Sequence, residues 1–332
     1  MAVQFLEREI NQYLYPSTSP DTKKEENNNN LPGLPLAEAT RCMCLSIVLY
    51  SQLGYNAQHW IYRDRLAVIT NEINKQWLES KARPDDVRPS ETLNDALRHF
   101  LPDDVANPEY MTPEDALGLI MPQYETLWRV VLLTYVTAYY RNDFQEEMYV
   151  KAYGVPACLG DGVREREAVK IAKVRFSLEQ FGLPDHKKNA DTYHVLQEGL
   201  RLYPSNNSIY RAPPGADSEA HPPYKADIQL CHRDPEIWGS DALLFRPDRF
   251  DNLTPLQKRS YFPFSIGTHQ CPAISGFGNR MVAMLVIAMG RTLSLDLGQV
   301  IFEDPSLEMD LTTPLPTGRD DMETWRWRKG KW

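Results

Sequence analysis

Apolar residues recur at helical spacing through most of the chain and alternate in the manner of strands in only a few short places. Leu36 to Leu53 is apolar enough for a buried helix and is followed by Gly54, which predicts that a glycine closes it. Tyr62 to Lys81 is amphipathic through Leu66, Ile69, Ile73 and Trp77, and Thr92 to Phe100 reads as a further short helix. The longest helix is predicted after Thr112, a good N-cap with Pro113 at the first helical position, and its apolar run reaches Tyr140. Inside it Pro122 has no N–H to donate and its ring crowds the Gly118 carbonyl, so a distortion is expected one turn ahead of Glu125 and Thr126. Asp191 and Thr192 are placed to cap a helix to Tyr203 that Pro204 stops. A last long helix is expected from Ala273 to about Leu295, through Met281, Met284, Leu285, Ile287, Ala288 and Met289.

Strand patterns occur at Ser208 to Arg211, Ile228 to Cys231, Val300 to Phe302 and Met322 to Trp327. The expected fold class is therefore mainly α with a small β region. Pro16 to Pro35, with four consecutive asparagines from Asn27, cannot bury enough apolar surface to order itself and reads as a loop. The chain then divides into an N-terminal helix over 1–15, a low-complexity loop over 16–35 and one large domain over 36–332.

Composition narrows the function classes. With 42% hydrophobic and 11% aromatic residues, 332 residues suffice for a substantial core. A net charge of −9 offers no global basic field to attract nucleic acid or an anionic membrane. Met1 to Leu14 is broken by Glu7, Arg8 and Glu9, so neither a signal peptide nor a transmembrane anchor is predicted in this chain. Five cysteines without a C-x-x-C pair suggest no disulfide framework and no zinc site, and point to a reducing compartment.

One cysteine carries candidate chemistry. Cys271 lies behind a glycine-bearing loop at the start of the last long helix, where free N–H groups and the positive dipole end favour a thiolate, the form that soft transition metals bind. A small buried hydrophobe at a loop–helix junction is the bland alternative. Glu198 and Arg201 lie three apart on one helix face, an arrangement that a solvated surface also explains.

Phe264, Gly267, His269, Cys271 and Ala273 together change that balance. Their order and spacing resemble the haem-ligand loop of the cytochrome P450 family, Phe-x-x-Gly-x-(Arg or His)-x-Cys-x-(Gly or Ala). The resemblance implies haem b as cofactor, with Cys271 as the axial iron ligand, Phe264 as aromatic packing beside it, Gly267 as the turn near the haem and His269 as a propionate donor. Thiolate ligation pushes electron density onto iron and favours O–O cleavage. Arg211 matches a position that often contacts a propionate. Glu198, Arg201 and Arg249 of Pro247-Asp248-Arg249-Phe250 match a buried structural triad, with Arg249 expected to anchor the cysteine loop. Glu125 and Thr126 match the acid–alcohol pair of the helix crossing the distal haem face, although Pro122 and Gln123 stand where that motif has small residues. The continuation to Leu132 resembles a subset of fungal members.

The implied activity is a haem-thiolate monooxygenase that hydroxylates or desaturates an apolar small molecule, in secondary metabolism of the fungal type. Its implied partners are dioxygen, the substrate and an NADPH-dependent reductase, with no nucleic acid. The implied setting is cytoplasmic, at most peripheral to the endoplasmic reticulum. The resemblance starts after the family's N-terminal β-sheet and first helices, so a P450-like fold lacking them is expected, and Trp60-x-x-Arg63 is one residue too short for the family's Trp-x-x-x-Arg helix. With Arg211 and His269 as the matched propionate donors, weak haem retention follows. Two other readings stay open: a P450-like protein with weak or no haem binding that acts as a non-catalytic partner or inactive remnant, and a haem-thiolate isomerase or dehydratase that needs no reductase.

Overall fold

The computed structural model describes residues 2–14, 33–54, 63–82, 90–101, 111–141, 190–211, 224–275, 277–293 and 297–330. The elements run in the order α1 (Ala2–Leu14), β1 (Leu34–Pro35), α2 (Leu36–Leu53), α3 (Arg63–Ala82), α4 (Glu91–Arg98) and α5 (Pro113–Tyr135). There follow α6 (Ala190–Leu202), β2 (Ser208–Arg211), β3 (Tyr224–Asp227), α7 (Ile228–Arg233), α8 (Pro235–Trp238), α9 (Pro255–Ser260), α10 (Phe277–Thr292), β4 (Gly298–Ile301), α11 (Ser306–Met309) and β5 (Arg326–Lys329). Helix dominates, and the strands form two small antiparallel sheets, one ordered β1–β5–β4 and the other β2–β3. Most of the low-complexity loop and Trp60 lie outside the described residues.

The chain divides into two compact units, one of residues 1–128, 297–303 and 318–332, the other of residues 129–296 and 304–317. In the first, α2 is buried almost without a break from Leu36 to Leu49 and ends at Gly54, whose φ of 66° is the left-handed stop that its glycine permits. Arg63 at the start of α3 donates to Glu9 of α1 and to Glu38 of α2, at 3.1 Å and 2.7 Å, and so ties three helices. Burial outweighs this partner at Glu9, whose carboxyl is raised above the ordinary range. Leu34 pairs with Trp327 across β1 and β5, and Val300 pairs with the same Trp327 from β4.

Helix α5 starts as expected: the Thr112 hydroxyl accepts from the Asp115 N–H at 3.1 Å, with Pro113 first in the helix. The distortion expected at Pro122 does not break it. The helix runs through that residue, and α geometry gives way only at Val136–Arg141, which winds as a π-helix.

The second unit corrects two expectations and shifts a third. Ile228 to Cys231 is not a strand; it lies in helix α7, because the Asp227 side chain caps the Leu230 N–H at 2.8 Å and turns the chain after β3. Arg249 does not reach the cysteine loop, as described below. The last long helix starts at Phe277, after a 3₁₀ turn over Pro272–Ser275, so Cys271 precedes that turn and not the α-helix itself. In the first unit, Met322 closes a 3₁₀ turn and the strand begins only at Arg326.

Candidate functional site

The loop that carries Cys271 is built by its own backbone. The Ser265 N–H donates to the Phe262 carbonyl at 3.0 Å, the Gln270 N–H to Gly267 at 3.1 Å, and the Cys271 N–H to the Phe264 carbonyl at 2.8 Å. This closure folds six intervening residues into a tight excursion whose base is Phe264 and Cys271. It requires positive φ twice, at Ser265 (62°) and Gly267 (71°). At Gly267 no neighbour crowds the missing Cβ, so the backbone conformation and not space calls for glycine. Ser265 holds the same conformation with a side chain, a local strain that the surrounding hydrogen bonds sustain.

Two further residues fix the loop. Gly278, in the first turn of α10, lies under the Phe264 ring: a Cβ there would stand 2.9 Å from Cε1, so only glycine admits the ring so close. Arg211, at the end of β2, extends an exposed guanidinium to the Ser265 hydroxyl at 3.5 Å. Cys271 itself is exposed, which removes the reading of a buried hydrophobe. Ile266, Ile274 and Phe277 beside it are also exposed, at 59%, 37% and 43%.

An exposed thiol with apolar neighbours and a cation near the same loop fits haem. The thiolate suits iron, the apolar side chains suit the face of a macrocycle, and Arg211 suits a propionate. His269 is placed in the short 3₁₀ turn of the loop, Gly267–His269.

The network predicted from Glu198, Arg201 and Arg249 forms in the segment that precedes the loop. Glu198 and Arg201, on α6, are completely buried, and the guanidinium grips the carboxylate with two bonds of 2.7 Å and 2.8 Å. Arg201 also donates to the carbonyls of His232, Ala242 and Leu244, at 2.6, 2.8 and 3.3 Å, so all five of its N–H groups are used. Arg249 donates to the same carboxylate at 3.0 Å, and to the carbonyls of Trp238, Asp241 and Leu244. The Arg246 backbone N–H adds a further bond to Glu198 at 2.8 Å. A charge this deeply buried is tolerable only with such complete pairing. Its partners show what the network holds: the segment from His232 to Arg249 that leads to the loop.

His232 opens a connector, His232 to Gly239, that resembles the P450 family's, but the sequence gives the residue no role of its own. It is fully buried, its Nε2 accepts the Phe262 N–H at 3.1 Å, and its ring stacks on Tyr261 and meets Phe262 edge-on. Burial, with the Arg201 guanidinium close by, pushes its imidazole down to about 4.

Glu125 and Thr126 lie in the first unit. Glu125 is buried and its Oε2 accepts from the Arg319 guanidinium, while Oε1 has no partner. Arg319 in turn donates to Asn74 at 3.1 Å and covers the Trp77 ring at 4.6 Å. The half-buried Thr126 hydroxyl donates to the Pro122 carbonyl, one turn earlier, at 3.1 Å. No sequence pattern signals Arg319 as a partner, since 194 residues separate it from Glu125.

Among the described residues no helix is long and apolar enough to cross a membrane. The family model for cytochrome P450 matches residues 192–289. A stretch of 124 residues is 32% identical to cytochrome P450 714B3 of Zea mays, covering 35% of this chain and 23% of that protein. A longer stretch of 209 residues is 24% identical to a cytochrome P450-like protein of Acanthamoeba polyphaga mimivirus, covering 60% of this chain and 40% of that one. The chain is also similar to the cytochrome P450 monooxygenase iliC of a Neonectria species, 36% identical over 94 residues, or 24% of this chain and 18% of the relative. Each match thus spans less than half of the relative's own length. Among solved structures, the haem domain of a cytochrome P450DA mutant aligns over 99% of this chain and 70% of its own, with 13% identity and a TM-score of 0.47.

Proposed function

Because this chain belongs to the cytochrome P450 family, whose cofactor is a haem with a cysteine thiolate on iron, we propose that it is a monooxygenase acting on an apolar small molecule, with Cys271 as the iron ligand. The observation that carries the reading is the exposed Cys271 thiol on a loop closed by its own N–H to the Phe264 carbonyl. When bound, haem supplies the activation of dioxygen and the transfer of oxygen to substrate.

The chain's own residues supply the rest. Phe264, seated on Gly278, keeps the loop in register, and the exposed Arg211 guanidinium beside Ser265 would hold a haem propionate. Arg249, Arg201 and Glu198 hold the segment before the loop. Glu125 and Thr126 handle protons. Arg319 holds Glu125 through Oε2, so that Oε1 would be the atom left to accept a proton or a water, and the Thr126 hydroxyl, which donates to the Pro122 carbonyl, would have to leave that carbonyl to pass a proton on. An NADPH-dependent reductase supplies electrons. The names of fungal relatives such as iliC support a fungal-type monooxygenase, and a role in secondary metabolism extends that likeness.

The test is the spectrum of the purified protein, loaded with haem, reduced and exposed to carbon monoxide. The strongly red-shifted Soret band of thiolate ligation is expected, and Cys271→Ser removes it because a hydroxyl is a hard, weak ligand for this iron. Absence of the band in the wild-type protein, or its persistence in Cys271→Ser, overturns the assignment.

A further inference from the structure

Three contacts place His232 between the buried charge network and the cysteine loop. Its backbone carbonyl accepts from Arg201 at 2.6 Å, which fixes the residue from the network side. Its Nε2 accepts the Phe262 N–H at 3.1 Å, which fixes the segment two residues ahead of Phe264. Its ring lies stacked on Tyr261 and edge-on to Phe262, so rotation of the imidazole would displace both aromatics. Since Nε2 is the acceptor, the neutral ring carries its proton on Nδ1. That atom is buried and has no hydrogen-bond partner among the described residues.

The turn that begins at Phe262 shows what the contact controls. The Phe262 carbonyl accepts from Ser265, the residue with positive φ, and the Phe264 carbonyl closes on Cys271. The peptide that carries the Phe262 N–H is therefore fixed from outside at the point where the loop begins to turn on its own bonds. Arg249, expected to hold the loop, spends its guanidinium on Glu198 and on carbonyls of the preceding segment.

We propose that His232 is a positioning residue for the cysteine ligand: its neutral imidazole accepts the Phe262 N–H and so transmits the fixed geometry of Glu198, Arg201 and Arg249 to the loop that presents Cys271. The proposal deepens the haem-thiolate reading and rests on it for the meaning of the loop, but the hydrogen bond can be tested without haem.

The experiment compares wild-type protein, His232→Phe and His232→Gln as full-length chains. Phenylalanine keeps an aromatic ring and removes the acceptor, whereas the glutamine amide oxygen can take the place of Nε2. Amide exchange at Phe262, followed by NMR, is expected to quicken roughly tenfold in His232→Phe, the factor that one hydrogen bond of ordinary net strength represents, and to return to near the wild-type rate in His232→Gln. Amides in the middle of α10 should not change. Unchanged exchange at Phe262 in folded His232→Phe overturns the proposal, as does a loss in His232→Gln equal to that in His232→Phe, which would make ring shape the cause. Should His232→Phe not fold, the imidazole ¹⁵N shifts of the wild-type protein decide: protonated Nδ1 with bare Nε2 supports the proposal, and protonated Nε2 sinks it. After haem loading, the fraction of the carbon monoxide complex with the thiolate band should fall in His232→Phe and recover in His232→Gln. A wild-type protein with no such band removes the haem reading, while exchange and tautomer still decide the role of His232.

Discussion

The Glu125 carboxylate meets the Arg319 guanidinium inside the first compact unit, with both side chains less than a tenth exposed. Around this pair, Trp128 lies under two cations, Arg41 at 5.5 Å and Arg319 at 6.0 Å from the ring centre, and Arg41 pairs with Glu323. Removing one member of a buried pair leaves the other charge without a counter-ion, which costs roughly 3–5 kcal/mol. Glu125→Gln should therefore lower stability by that order in urea unfolding. Replacing both members, Glu125→Leu with Arg319→Met, should recover most of the loss. A Glu125→Gln protein as stable as wild type would mean that the pair is not buried.

Thr126 is the milder test of the same helix. Its hydroxyl serves only its own helix, donating to the Pro122 carbonyl, so Thr126→Ala should leave unfolding within about 0.5 kcal/mol of wild type. The effect belongs in catalysis: NADPH consumption should continue while product falls and hydrogen peroxide accumulates, because proton delivery fails. Product formed in unchanged proportion to NADPH would take Thr126 out of the mechanism.

Glu198 accepts four hydrogen bonds in complete burial, and alanine there would strand Arg201 and Arg249 together. Glu198→Ala is expected to lose at least about 3 kcal/mol and to give little soluble protein. Glu198→Gln should lose less and still lose stability, since it keeps one acceptor oxygen but removes the charge and turns the other oxygen into an NH2 that faces arginine donors. A freely tolerated Glu198→Ala would place the residue at the surface.

Between Glu198 and Arg201, Gly199 marks a close approach. A Cβ there would stand 2.3 Å from the Thr134 hydroxyl and 2.7 Å from its methyl group. Gly199→Ala should cost about 1–3 kcal/mol by overpacking, although alanine favours helix. Thr134→Ala, which deletes both clashing atoms, should restore much of the loss in the double variant. Additive losses in the double variant would show that the two helices do not meet at this point.

These contacts divide what local chemistry can announce from what only folding reveals. Helix α2 was legible because a mostly apolar segment and the glycine that ends it, found at φ 66°, are adjacent in the chain. The cysteine loop and the Glu198, Arg201 and Arg249 set were legible because their spacing is stereotyped. The segment Ile228 to Cys231 misled because Ile, Leu and Cys suit a strand, while the Asp227 cap that starts a helix there is a single hydrogen bond. Gly278 was passed over because a lone glycine pair carries little meaning until an aromatic ring is seen lying on it. Arg319 left no trace, and His232 showed only as the first residue of a connector, His232 to Gly239, that resembles the family's, since each gains its partner only by long-range folding, from Glu125 across 194 residues and from Phe262 across 30.

His232 also sets an acid limit. Its ordinary value is 6.5 and burial with the nearby Arg201 and Arg233 charges lowers it to about 4 in the folded protein. Between these values the unfolded chain binds a proton that the folded one refuses, so stability is full above about pH 6.5 and falls as the pH drops towards 4. The span of the shift corresponds to a loss of about 3 kcal/mol, with no further contribution below it. Glu9, whose carboxyl is raised, acts in the opposite sense, since its stability term improves on acidification. The total slope therefore mixes both, and the difference between two proteins isolates the histidine. Urea midpoints measured at a series of pH values should show the wild-type protein losing about 3 kcal/mol relative to His232→Gln on going from pH 7 to 4, because glutamine does not titrate. Parallel curves for the two proteins would show that His232 is protonated as readily folded as unfolded, and that its imidazole does not lie buried against Arg201.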